Sequence, residues 1–139
     1  MAVKPDWIIH YILDVCPSSH THGLSRYGGL ELELNLPVSQ EKAMMILNLL
    51  GMEIAGKGKH YRSGDRENDV FLLPVYFFET APAVPDAYFN RVLRVLLCDP
   101  DGKYPWEPDC APGYAEQLSM GEKREMSQLV RRRYDATHP

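Results

Sequence analysis

A chain of 139 residues, 45% of them apolar, is long enough to bury one core and too short for two independent domains of ordinary size. Its formal net charge of −4 gives no overall attraction to a phosphate backbone or an anionic bilayer, which argues against nucleic acid and membrane as partners. The first residues lack a signal pattern, and Cys16, Cys98 and Cys110 lack a C-x-x-C spacing, so we expect free thiols and a cytoplasmic location.

The first predicted elements surround a pair of histidines. Residues 6–15 are aromatic and β-branched, which predicts a strand buried on both faces, with His10 in or beside the core. Pro17 ends this element, so His20 and His22 lie on a short connecting or edge segment. If that segment is extended, both imidazoles point to the same face.

The strongest strand signal is the strict alternation over residues 30–36, which predicts a strand with its leucines on the core and Glu31 and Glu33 in water. A helix follows, with Ser39 as its N-cap and glycines such as Gly58 at its end. Its apolar residues recur at helical spacing and should pack on the leucine face: Ala43, Ile46, Leu47, Leu50 and Ile54.

The second half of the chain predicts further strands and a last helix. Residues 70–78 indicate a strand in which Pro74 requires an edge position or a bulge. Residues 89–98 fit either a strand or a helix, and we favour a strand in the later part, after a short helical turn. Ser119 and Glu122 form a capping-box pattern before a basic helix with a narrow apolar stripe, which predicts weak docking.

This order of elements predicts an α+β fold. We expect a single domain over residues 1–139, with a core at about 6–110 and a C-terminal helical extension at about 119–135. The expected architecture is a mixed or mainly antiparallel sheet with one packed central helix and a C-terminal helix. The basic residues of the last helix are expected to form a solvated face.

A metal hypothesis starts from His20 and His22, which supply two of the three or four ligands that zinc takes. Cys16 is the nearest further ligand, and His10 and His60 are alternatives to it. A lone His-x-His motif is weak, however, and the competing interpretation leaves one imidazole hydrogen-bonded in a loop and the other solvated. Cys16 beside a histidine base also suggests a nucleophile, although a buried structural cysteine is favoured.

Residues 99–108 form a turn-rich aromatic block. Asp99, Asp101 and Gly102 are similar to the start of a calcium loop, but the later oxygen ligands of such a loop are missing. A turn pinned by burial of Trp106 is therefore the favoured interpretation. The glycines around Lys57 follow a helix, whereas a phosphate loop precedes one, so a phosphate loop is excluded.

Together these segments resemble a bacterial family known as domain of unknown function 4262. The resemblance covers about residues 10–108, and its most specific element is the block that ends in Pro-Trp. His22 stands where the family tends to have a small apolar residue, and Leu30 where it often has proline. The resemblance implies the fold and a bacterial cytoplasmic origin, and it carries no activity. The matching motifs are T-H-G-L at 21–24, G-L-E-L at 29–32, I-L-N at 46–48, G-K-G at 56–58 and D-P-D-G-K-Y-P-W at 99–106.

Two functions from different classes are compatible with the sequence. The first is a non-enzymatic protein-interaction module of the immunity or regulatory type, suggested by a small acidic domain with glutamates on an exposed strand face. The second is a metal-binding protein or metal-dependent hydrolase, with zinc at His20 and His22, a third ligand and an open position for water. The first ranks ahead because the sequence offers no full ligand set. The protein partner and the oligomeric state are left open.

Overall fold

A six-stranded sheet with a long helix packed on each face forms the protein in the computed structural model, which describes residues 6–12, 18–36 and 38–138. The strands are ordered β1-β2-β3-β6-β5-β4, with β3 and β6 parallel and the other neighbours of the described sheet antiparallel. The predicted α+β fold with a mixed sheet is confirmed. The elements are β1 (Ile8–Ile12), β2 (Ser18–His22), a 3-10 helix (Leu24–Tyr27), β3 (Leu32–Leu34), α1 (Gln40–Lys57), β4 (Arg66–Glu67), β5 (Val75–Thr80), β6 (Val92–Leu96), α2 (Pro112–Ala115) and α3 (Met120–Thr137).

One face of the sheet packs on α1. The helix begins after Ser39, whose hydroxyl accepts a hydrogen bond from Lys42 N, and ends at Gly58 in the left-handed conformation (φ 68°). Its buried side chains contact Leu32 and Leu34 of β3. The predicted helix, its caps and its packing face are therefore confirmed. The five residues of its predicted stripe are each at most 7% exposed: Ala43, Ile46, Leu47, Leu50 and Ile54.

The opposite face of the sheet carries a smaller apolar cluster beneath α3. The predicted capping box is present, because Ser119 Oγ accepts from Glu122 N and the Glu122 carboxylate accepts from Ser119 N. The Glu122 carboxylate also pairs with Arg94 of β6, so an ion pair adds to the narrow apolar stripe in holding α3 on the sheet. The cluster consists of Phe78, Leu96, Leu118 and Met126.

The glutamates around β3 do not face water as the alternation predicts. Glu33 is 2% exposed and pairs with Arg94, and Glu31 is half-buried against the 3-10 helix. Both faces of β3 are therefore covered. On the face away from α1, the Glu33 carboxylate is paired with Arg94 instead of being solvated. The alternation locates the strand correctly, but the exposed acidic face that supported the interaction hypothesis is absent.

Three strand predictions change in detail. β1 is the end strand of the sheet and is not buried on both faces. β5 begins directly after Pro74, so the proline needs no ladder hydrogen bond. The ambiguous segment is a strand over Val92–Leu96, and the predicted helical turn before it is instead a bend in which Asp86 Oδ1 accepts from Tyr88 N and Phe89 N.

Gly51 makes room on α1 for the Trp7 indole. A Cβ at Gly51 would lie 2.5 Å from Trp7 Cζ2, and Trp7 Nε1 donates to Asn48 Oδ1. Because this buried ring is held by its hydrogen bond, we expect Gly51→Ala to lower the free energy of unfolding by about 1–3 kcal/mol. The direction is opposite to that of an ordinary Gly→Ala change inside a helix, which usually raises the free energy of unfolding by about 1 kcal/mol. Urea unfolding followed by circular dichroism measures it.

The matched control is Gly121 on α3, where a Cβ would meet no atom within 4 Å. Gly121→Ala is expected to be neutral or stabilising by up to about 1 kcal/mol. Equal stabilisation by both substitutions would show that the indole adapts to a methyl group at Gly51.

Candidate functional site: the histidine face of the sheet

The β1–β2 hairpin places three histidines on one face of the sheet. The register sets His10 directly opposite His20 and Ile8 directly opposite His22. Because alternate residues of a strand share a face, the four side chains point to the same side, away from α1. We call this surface, with Phe89 beside it, the histidine face. His10 is exposed, so its predicted place in or beside the core is wrong. The neighbouring side chain of Ile9 packs against the core instead.

His10 is the middle ring of the three. Its ring centroid lies 5.0 Å from that of His20, with the two rings stacked, and 5.6 Å from that of His22, with the rings edge to face. The ring centroid of Phe89, from the loop before β6, lies 4.7 Å from that of His20. His20 is therefore the fixed member of the group, whereas His10 and His22 are exposed.

The electrostatic setting of His20 favours the neutral imidazole. Burial lowers the pKa of the His20 ring most, and the nearby imidazoles of His10 and His22 lower it further. The Glu31 carboxylate opposes this shift by raising the pKa. The net direction is downward, so His20 carries a lone pair on one ring nitrogen at neutral pH.

Glu31 binds the chain where β2 ends and the 3-10 helix begins. Its carboxylate accepts hydrogen bonds from the Thr21 hydroxyl and from the backbone N–H groups of Gly23, Leu24 and Ser25, at 2.8–3.2 Å. A carboxylate at the N-terminus of the 3-10 helix satisfies donors that the turn leaves free, and these bonds lower the pKa of Glu31 despite its burial. One side chain thus ties Thr21 of β2 to the turn that follows His22.

A row of directly paired residues leads from the histidines into the protein. His20 pairs with Glu33, and Glu33 with Arg94, so the imidazole pair continues into a buried ion pair. The Arg94 end of the row lies beneath α3, whose Glu122 joins the ion pair. The end at His10 is exposed. This face of the sheet is therefore covered by α3 at β5 and β6, whereas at β1 and β2 the side chains of Ile8, His10 and His22 are exposed.

Of the third ligands considered from the sequence, the structure places His10 beside His20 and His22, while Cys16 lies outside the described residues. His60 instead lies beside Gly28 and lines a separate cavity of about 260 Å³. With the side chains as they stand, no group of three or more His, Cys, Asp or Glu within the described ranges is arranged to hold a metal ion.

The block at 99–108 is a turn, as favoured from the sequence. The Asp99 carboxylate accepts from the backbone N–H groups of Ala111, Lys103 and Asp101 at 2.8–2.9 Å, and these bonds lower its pKa. Trp106 packs on Tyr104, with ring centroids 5.1 Å apart, and is half-buried. The carboxylate oxygens are engaged with the backbone, and the indole pins the block to the domain.

The two described cysteines are not activated nucleophiles. Burial raises the pKa of the Cys98 thiol and that of the Cys110 thiol. Cys110 Sγ also lies 3.4 Å from Lys103 O, to which it donates. Both groups are therefore thiols rather than thiolates at neutral pH.

The basic end of α3 is in part a structural tie. Arg133 donates to the Asp65 carboxylate at 2.6 Å and to Ser63 O at 2.9 Å, which fastens the helix to the turn before β4. Arg131 and Arg132 are exposed, in agreement with a solvated face. In the part of the chain that the structure describes, no helix has the length and apolar character needed to cross a bilayer.

No protein-family model, curated protein or solved structure matches the chain. The described features that bear on function are the histidine face and the sheet edge beside it.

Proposed function

We propose that the protein is a non-enzymatic protein-interaction module that binds an extended segment of a partner protein at the outer edge of β1, with which no strand among the described residues pairs. The observation that carries the proposal is the character of this edge. β1 is the end strand, five residues long, with the sequence Ile-Ile-His-Tyr-Ile and no proline, lysine or acidic residue. Its Ile8 side chain is 57% exposed.

The two edges of the sheet differ in a way that supports this choice. β4, at the other edge, has only two residues, Arg66 and Glu67, and both are charged. Proteins blunt their free edges with short strands and charged side chains, because an unpaired row of N–H and C=O groups recruits other strands. The edge at β4 follows this rule, and the edge at β1 departs from it.

An added strand would also gain side-chain contacts at β1. On the open side of the sheet its alternate residues would meet Ile8 and His10, and on the α1 side they would meet the half-buried Ile9 and Tyr11. Cross-strand pairs of β-branched and aromatic residues are the most favourable ones in sheets. The partner segment is therefore expected to be extended and rich in such residues, bound in the strand-addition mode.

A non-enzymatic role in the bacterial cytoplasm accords with the rest of the proposal. The described thiols have raised pKa values, and the carboxylates of Glu31, Glu33 and Asp99 are engaged with backbone or ion-pair partners. The resemblance to the bacterial family of unknown function, together with free thiols, supports the cytoplasmic location. An immunity-type or regulatory protein would act by such binding alone.

Selection of peptides on the full-length protein tests this proposal. Random twelve-residue peptides displayed on phage are selected on the immobilised chain, and the selected peptides are then synthesised with a fluorophore for anisotropy titrations. We expect Ile8→Lys to weaken their binding at least tenfold, because a lysine on the edge opposes strand addition. Leu72→Lys is the matched control, since Leu72 is fully exposed in the loop before β5, and it should leave the affinity unchanged.

Backbone methylation of the selected peptides distinguishes strand addition from side-chain binding. Alternate amides of an extended peptide point to opposite sides, so only one of the two alternating sets pairs with β1. N-methylation of that set should abolish binding, and N-methylation of the other set should leave binding intact. Equal binding by wild type and Ile8→Lys would overturn the proposal, as would tolerance of both methylation patterns. A dimer that Ile8→Lys converts to a monomer, without any selected peptide, would instead assign the edge to a second copy of the chain.

A further inference from the structure

The spacing of the three histidines is set by the backbone of the hairpin. Directly opposed residues in an antiparallel pair have Cβ atoms about 4.5–5.5 Å apart. Residues two apart on one strand are separated by about 6.6–6.8 Å along it. His10, His20 and His22 therefore project from the corners of a small triangle on one face. Three imidazoles on such a triangle can converge on a point above the sheet.

The rings as placed do not converge, because His10 stacks on His20 and stands edge to face with His22. This arrangement depends on side-chain torsions rather than on the backbone. His10 and His22 are exposed, so rotation of their rings between staggered conformers disturbs no packed neighbour in the core. The ring of Phe89 packs against that of His20, with ring centroids 4.7 Å apart.

We propose that His10, His20 and His22 bind one Zn²⁺ ion, with water in the remaining position. Three imidazole nitrogens at about 2.0–2.1 Å with an open fourth site is a ligand set that zinc takes in proteins. Imidazole is also a borderline ligand that favours zinc over calcium or magnesium. The third ligand is His10, which the hairpin register supplies. The zinc ligands project from the sheet face, whereas an added strand would pair with the backbone of β1; His10 is the one residue that both proposals use.

Zinc titration of tag-free, metal-free protein by isothermal calorimetry tests the site. We expect about one Zn²⁺ per chain, and a loss of affinity of at least a hundredfold for each of His10→Ala, His20→Ala and His22→Ala. The expected size follows because even an outer-shell partner of a ligand is worth 10–100-fold in affinity. His60→Ala is the matched control, because His60 is also exposed and lies beside Gly28, and it should bind zinc as the wild type does.

Histidine ring signals in long-range nitrogen–proton spectra give a readout that does not depend on the folding of variants. Addition of one equivalent of ZnCl₂ should shift the ring signals of His10, His20 and His22 and leave those of His60 and His138 in place. Circular dichroism of the metal-free variants checks that they are folded.

The alternatives have distinct outcomes. Retention of full zinc affinity by His10→Ala would overturn the three-histidine site, and loss of zinc by Cys16→Ser with retention by His10→Ala would give the third position to Cys16. No zinc binding by the wild type would also overturn it. Zinc is titrated without peptide and peptides are selected in metal-free buffer, so failure of the metal site leaves the interaction module standing, and the reverse also holds.

Discussion

Arg94→Met is expected to lower the free energy of unfolding by about 3–5 kcal/mol, because it leaves the Glu33 carboxylate buried without its cation. The Arg94 side chain is 6% exposed, and the Glu33 side chain 2%. The guanidinium donates to Glu33 at 2.9–3.0 Å, to both Glu122 oxygens, and to the carbonyl oxygens of Ala81 and Gln117. One side chain thus joins two neighbouring strands, the loop after β5 and the start of α3. Guanidinium chloride unfolding followed by circular dichroism measures the loss.

Arg91→Met is the matched control for this prediction. Arg91 lies three residues earlier in the chain and pairs with Glu79, but their side chains are 52% and 46% exposed. An exposed ion pair is worth about 0–1 kcal/mol, so this variant should lose little stability. Similar losses for Arg91→Met and Arg94→Met would mean that the buried network does not carry the stability assigned to it.

A double variant separates the unpaired charge from the lost packing. Glu33→Met added to Arg94→Met removes the stranded carboxylate, and replacement of a buried ion pair by apolar side chains is often neutral or stabilising. We expect the double variant to recover much of the stability that Arg94→Met loses. If the double variant is as unstable as Arg94→Met, the lost stability comes from the contacts that Arg94 makes with Ala81, Gln117 and Glu122, and not from the unpaired Glu33 carboxylate.

The parts of the fold that the sequence predicts well are those with local physical causes. The helical spacing from Ala43 to Ile54, the cap at Ser39 and the capping box at Ser119 each depend on residues within a few turns of one another. The turn at Asp99 is also local, since its carboxylate binds backbone groups only a few residues further along the chain, apart from Ala111. In each of these features the interacting residues lie close together in the chain, so the sequence pattern shows both partners.

The failures concern partners that are distant in the chain. Glu33 is expected in water because a strand's alternation does not show that Arg94, 61 residues later, lies beside it. His10 is expected in the core because the hydrophobic run around it does not reveal that β1 ends the sheet. The register that sets His10 opposite His20 is likewise a property of the hairpin pairing. Alternation within each strand shows which residues share a face, but it does not show which residue of one strand lies opposite which residue of the other.

A second buried polar cluster ties the end of α1 to β4. Lys59 Nζ lies 2.7 Å from both the Glu53 and the Glu67 carboxylates, and the Tyr61 hydroxyl donates to Glu67 at 2.6 Å. Asp69 N donates to the other Glu67 oxygen. Burial by itself raises the pKa of the Glu67 carboxyl, but the hydrogen bonds from Lys59, Tyr61 and Asp69 outweigh it and lower the pKa to about 2.

This cluster predicts a loss of stability in acid. Because the folded protein holds the Glu67 proton more weakly than the unfolded chain does, its stabilisation is complete above about pH 4.5 and is lost as the pH falls toward 2. A shift of this size corresponds to about 3 kcal/mol. Glu67→Gln should therefore be less stable than the wild type at pH 7, and the difference between them should shrink between pH 5 and pH 2. Urea unfolding across this range measures both curves, with the exposed Glu125→Gln as control. If the difference in free energy of unfolding between the two proteins does not change with pH, the charge of Glu67 is not the source of its stabilising effect.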